Sequence, residues 1–179
     1  MDFHKVEFPG LKSLSLVDVT ALVSLALLVV THLPAALESH LIRQQVAAAL
    51  PLAANAQAIV ESNARRGRAL DSAWVPVVLD KQVSIEVAAS TGIVTVTFAW
   101  IAFGGKSLKL VPMLEVDEEL RPLGQADTTG YSSPPKIVWI CTSANARSRN
   151  TYILANRGTL ESKYAPDACR HRVAGANKL

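Results

Sequence analysis

Residues 14–33 read as an almost uninterrupted apolar run, "LSLVDVTALVSLALLVVTHL", in which only Asp18 and His32 depart from Leu, Val, Ala, Ser and Thr. At about 1.5 Å rise per residue a helix of this length spans roughly 30 Å, the thickness of one hydrocarbon core. Residues 34–66 keep a helical period but become amphipathic. Ile42, Val46, Ala49, Ala53, Ala56 and Val60 recur at spacings of 4, 3, 4, 3 and 4, so they share one face. Arg43, Gln44, Asn55, Gln57, Glu61 and Asn63 are expected on the other side. Pro34 and Pro51 each remove a backbone donor and should bend or locally loosen the helix. One long bent helix over residues 14–66 is therefore predicted. Gly67 is its stop signal, with Arg65, Arg66 and Arg68 placed where the negative end of the helix dipole favours them.

Beyond a loop, "DSAWVPVVLDK", the period switches to two. "VSIEVAAS", "IVTVTFAWI", "LKLVPMLEV" and "KIVWICTS" predict four strands of an antiparallel sheet, with turns at Thr91-Gly92 and at "FGGKS". The insert "DEELRPLGQADTTGYSSPP" is rich in turn formers and acids and is expected to be an exposed loop. The tail from Thr142 to Leu179 has little periodicity and is expected to be tied back only at Cys169. The fold class is α+β: a long N-terminal helix on a four-stranded antiparallel sheet.

Composition sharpens the first element. The chain has 179 residues, 50% of them hydrophobic, with mean hydropathy +0.24, more than a purely soluble domain of this size needs. The excess resides in residues 14–33. Its Leu and Val residues favour insertion by about 4 to 7 kcal/mol in sum, against a cost of about 2.5 to 3.5 kcal/mol for one central Asp. The run is longer than the usual core of a cleaved secretory signal, and it ends at Pro34 without a small-x-small site. The segment before it carries Asp2 and Glu7 beside Lys5 and Lys12, so charge does not fix the topology.

The candidate chemistry is sparse. If the C-terminal part is exported, the default for the two cysteines, Cys141 and Cys169, is a single disulfide stabilising the fold by about 3 to 4 kcal/mol. Neither thiol has companions at metal-ligand spacing, and His32, His40 and His171 are isolated, so no metal is expected. "GGKS" ends like a phosphate loop, but Trp100 stands where the pattern needs Gly. "SPPK" fits S-x-x-K only formally, since two prolines exclude the helix that would align Ser133 with Lys136. No nucleophile, carboxylate pair or cofactor motif points to an enzyme.

The order of elements, and the sequence around both cysteines, resemble a type IV pilin. "SIEVAASTGIVTVTF" followed by "GGKSLKLVPML" is similar to the first three strands of type IVa major pilins; "IVWICT" resembles the strand with the first cysteine, and "KYAPDACR" the segment with the second. The resemblance implies a disulfide between Cys141 and Cys169. It also implies a leader, residues 1–13, cut by a prepilin peptidase between Ser13 and Leu14, with methylation of the new amine. Ser13 stands where the family has Gly, and Asp18 where it has a Glu as fifth mature residue. Asp18 would then pair with the amine of Leu14 on the next protomer and set the axial register, while Pro34 would kink the helix.

The implied domains are the leader, a transmembrane half of the helix (14–33), an amphipathic half (34–66) and a globular head (67–179). The implied life history runs from an inner-membrane prepilin to an extracellular homopolymer built by a pilus assembly machinery, serving adhesion or motility. A second reading rests on charge. Residues 142–179 hold seven basic and two acidic residues, a net +5, while the rest of the chain carries −2. Arg147, Arg149, Arg157, Lys163, Arg170 and Arg172, with Tyr152 and Tyr164 for stacking, could contact DNA in a minor or competence-type pilin. The plainer alternative is a solvated basic loop that keeps filaments soluble or pairs with the acidic insert. A third reading is an anchored periplasmic domain that never polymerises.

Overall fold

The computed structural model describes residues 16–79, 82–99, 104–125 and 135–170. The chain separates into two compact units, Met1–His40 and Leu41–Leu179. One helix, α1 (Leu16–Arg65), has residues in both, and Pro34 and Pro51 lie inside its continuous run. The helix ends as its sequence dictates. Gly67 adopts φ +62, the amide of Arg68 donates to the carbonyl of Asn63 at 3.0 Å, and that of Gly67 to Ala64 at 3.2 Å. This is a Schellman stop, which favours glycine at the left-handed position because it carries no Cβ.

In the second unit the predicted stripe is the buried face: Ile42, Val46, Ala49, Ala53, Ala56 and Val60 all lie in the core, extended by Ala64. Asn63 departs from its expected place on the polar face. It is buried, and its amide donates to the carbonyls of Leu70 (3.2 Å) and Ser72 (2.7 Å), pinning the loop that leaves the helix.

The sheet has six strands rather than four: β1 (Val77–Leu79), β2 (Val83–Val87), β3 (Val94–Phe98), β4 (Lys106–Val116), β5 (Glu119–Pro122) and β6 (Lys136–Thr142), every pairing antiparallel. The long strand β4 is central. Its first half pairs with β3, its second half with β5, and β6 runs along its opposite edge. Pro112, which has no N–H to donate, falls between the registers of β3 and β5.

The two unexpected strands have physical reasons. β1 is three residues long and follows Pro76, so its period is too short to read. β5 closes on β4 through the two-residue turn Asp117-Glu118, both at positive φ (50 and 64). That turn type normally announces itself by Asn-Gly or Asp-Gly. Two acids conceal it, and the insert expected to be all loop begins as a strand.

Alternation along the strands builds two cores. Ile85, Val94, Val96, Phe98, Leu108, Leu110 and Leu114 face the helix and pack with its alanine stripe. Ile93, Val111, Met113 and Ile140 form a smaller cluster with Ile153 and, at its margin, Leu120 and Tyr152. Ile153 and Tyr152 belong to a short helix, α2 (Thr151–Ala155), capped by Asn150, whose side chain accepts from the amides of Tyr152 and Ile153.

The tail is therefore anchored at many points rather than at Cys169 alone. The amides of Thr159 and Leu160 both donate to the Ser107 carbonyl at 2.8 Å, extending the edge of β4 where β6 stops. Gly158 makes this approach feasible, because a Cβ there would lie 2.4 Å from the Ser107 oxygen and 2.7 Å from that of Thr142. These bonds tie residues some fifty positions apart in sequence, which no local period could reveal.

Candidate assembly surface

The first unit contains an apolar helix with no core of its own among the described residues. Val17, Leu22, Val23 and Leu27 are 73%, 56%, 54% and 60% exposed. Residues 20–24 are all exposed, and at about 3.6 residues per turn such a run covers the whole circumference. The hydroxyl of Thr20 donates to the Val17 carbonyl and that of Ser24 to Thr20, each at 2.8 Å, so both are satisfied inside the helix and can enter an apolar medium. Among the described residues this stretch has apolar side chains exposed on all sides.

Among the described residues no helix is long and apolar enough to cross a membrane. Most side chains of the 14–33 run lie outside the described residues. Asp18 and Pro34 sit on the backbone of α1, but their side chains are outside the described set, as are Ser13 and Leu14 altogether.

In the second unit, α1 turns its other face outward. Residues 44–60 include no ionisable side chain, and Leu41, Gln45, Ala48, Leu52 and Asn55 are exposed along one line. Beneath the helix, Trp139 on β6 donates its indole N–H to Glu61 at 2.8 Å, joining helix and sheet. This pair was invisible in the sequence, where Glu61 and Trp139 lie 78 positions apart.

The C-terminal segment is clamped as the resemblance implied. Cys141 on β6 and Cys169, in a 3-10 turn (Asp167–Cys169), form a disulfide with their Cα atoms 4.6 Å apart. Ser143 reinforces it, its hydroxyl donating to the Cys169 carbonyl at 2.9 Å and meeting the Ser162 hydroxyl at 2.9 Å.

Three of the basic residues singled out for DNA meet groups of their own segment. Lys163 pairs with Glu161 at 2.9 Å and lies 4.7 Å from the Tyr164 ring centre; its pKa is raised chiefly by the bond to Glu161. Arg170 pairs with Asp167 at 3.2 Å and also donates to the Ala165 carbonyl. Arg157 donates to the Leu154 carbonyl at 3.0 Å; Arg147 and Arg149 are exposed, and Arg172 is outside the described residues. Tyr152 turns inward, where burial raises its phenol pKa against the lowering effect of a bond to Thr91. No cluster of His, Cys, Asp and Glu able to hold a metal occurs among the described residues.

An amphipathic helix on an antiparallel meander, closed by a disulfide-bound tail, is matched over residues 43–170 by the family model for pilin, the bacterial filament protein. The chain belongs to the pilin family. No curated protein and no solved structure gives a significant match. The matched span of this pilin begins in the amphipathic half of α1 and ends one residue after the second disulfide cysteine. Pilins are structural filament proteins rather than enzymes, and the membership places this chain as a subunit that polymerises with other pilins into an extracellular filament.

Proposed function

We propose that this pilin is the structural subunit of a type IV pilus, held in the inner membrane by residues 14–33 as a prepilin, cleaved between Ser13 and Leu14, and polymerised through the first half of α1 for adhesion or motility. The observation that carries this reading is the apolar stretch around residues 20–24, exposed over its full circumference. A single chain leaves that surface in water. A bilayer covers it before assembly, and a bundle of identical helices covers it afterwards.

Asp18 has its place in this scheme. A carboxylate moved into an apolar bundle costs several kcal/mol unless a cation meets it, and cleavage creates one, the α-amine of Leu14. Pairing with the amine of the neighbouring protomer satisfies both charges at one axial offset. Electron microscopy of sheared surface material tests this. Wild type is expected to yield filaments and Asp18→Val few or none; abundant filaments from Asp18→Val would remove the register role, and no filaments from wild type would remove the type IV reading.

A further inference from the structure

Strand β6 closes one side of the sheet. It pairs with β4 alone, and its other edge meets no backbone donor or acceptor among the described residues. In an antiparallel strand alternate residues turn their N–H and C=O away from the paired neighbour, so about half of these groups from Lys136 to Thr142 face outward. The composition of "KIVWICT" makes this edge a hazard. It has five β-branched or aromatic side chains, no proline and a single charge at Lys136, and a strand of that kind pairs with other chains unless something covers it.

The chain itself supplies a segment at the right place. Beyond Arg170, where the described residues end, nine more follow, "HRVAGANKL". They start beside the edge, because Cys169 is bonded to Cys141 with the Cα atoms 4.6 Å apart, and Cys141 is the last residue but one of β6. From Cys141 back to Lys136 the edge measures about 17 Å, whereas nine extended residues reach about 30 Å. So short a tether holds the segment at high effective concentration over the edge. It has no proline, so each residue has an amide to donate. The stretch just before it already docks in this way, the amides of Thr159 and Leu160 bonding to the Ser107 carbonyl on β4. Charge agrees as well: the segment carries Arg172 and Lys178 and no acid, and the carboxylates next to β6 are Glu61, bonded to Trp139, and Glu115, paired with Lys136.

We propose that residues 171–179 run back along the outer edge of β6 and pair with it as an antiparallel strand of the same chain. The disulfide then does more than close a loop, since it sets the point from which the covering strand starts. Each chain masks its own edge and leaves no template for a strand of another molecule. The inference concerns the single chain and does not depend on the filament reading.

The test uses the full chain in detergent micelles and compares wild type with Val173→Pro and with a chain that stops at Arg170. Hydrogen exchange is read in β6, with β3 as the internal reference. The outward amides of β6 are expected to exchange about tenfold faster in both variants, while β3 keeps its protection and the Cys141–Cys169 bond still forms. Exchange in β6 that is the same in all three chains would overturn the proposal. A second measurement keeps the wild-type backbone and replaces Val173 by a benzophenone amino acid. Irradiation is expected to give a cross-link within one chain to residues 136–141; a cross-link to another chain, or to a different part of the same chain, would overturn the proposal and leave the filament reading standing.

Discussion

The two halves of α1 are one continuous helix with opposite relations to their surroundings. From Ile42 to Ala64 an alanine-rich stripe is buried against the sheet, and apart from the buried Asn63 the residues between are outward-facing or half-buried. Around residues 20–24 the apolar side chains are exposed on every side. The second half is therefore folded by its own chain, while the first half, in the proposed scheme, is covered by a bilayer and then by neighbouring subunits. Small residues serve the second half because they let the helix lie close to the strands; in the proposed filament the larger Leu and Val of the first half supply the contact area.

Substitutions that should act on only one half sharpen this contrast most. Val60 is fully buried, and a Cβ on Gly92 would lie 2.8 Å from it, so Val60→Asp strands a carboxylate in the core. Loss of about 4 kcal/mol or more is expected in urea unfolding followed by tryptophan fluorescence. Leu22→Asp should shift the same curve by less than about 0.5 kcal/mol and yet abolish filaments. Replacing both Cys141 and Cys169 by Ala should cost the head about 3 to 4 kcal/mol. The tail should nonetheless stay docked through Ile153, Leu160 and the Ser107 bonds, which amide exchange at Thr159 and Leu160 would report.

Smaller effects separate the contacts on the two faces of the sheet. Trp139→Phe removes the bond to the partly exposed Glu61 and should cost about 1 kcal/mol, with filaments still forming. On the other face, burial raises the Tyr152 pKa above its ordinary 10.0, so the folded state holds that proton more tightly than the unfolded chain. Its contribution is complete below pH 10 and declines as pH rises beyond it. Amide protection in α2 should weaken there, and Tyr152→Phe should remove the dependence.

Legibility in the sequence followed the range of the interactions. The stripe from Ile42 to Val60, the stop at Gly67 and the four longer strands all express a local period or a single backbone demand, and each is found where expected. β5 was hidden because its turn uses Asp117 and Glu118 where glycine or asparagine is the usual sign. The docking of the tail was hidden because it depends on Gly158 lying against Ser107 and on Ile153 entering a core built by Ile93, β4 and β6. The charge excess of the tail is a sum that does not show which charges meet. Lys163 and Arg170 are engaged by Glu161 and Asp167, carboxylates two and three positions away, and net charge counts such pairs without showing that they meet.

Mass spectrometry of the N-terminus of filament-derived protein addresses the central claim most directly. Retention of the apolar helix in the polymer predicts a chain that begins at methylated Leu14. A chain that begins downstream of Leu33 would contradict it, because the surface through which the subunits stack would be gone.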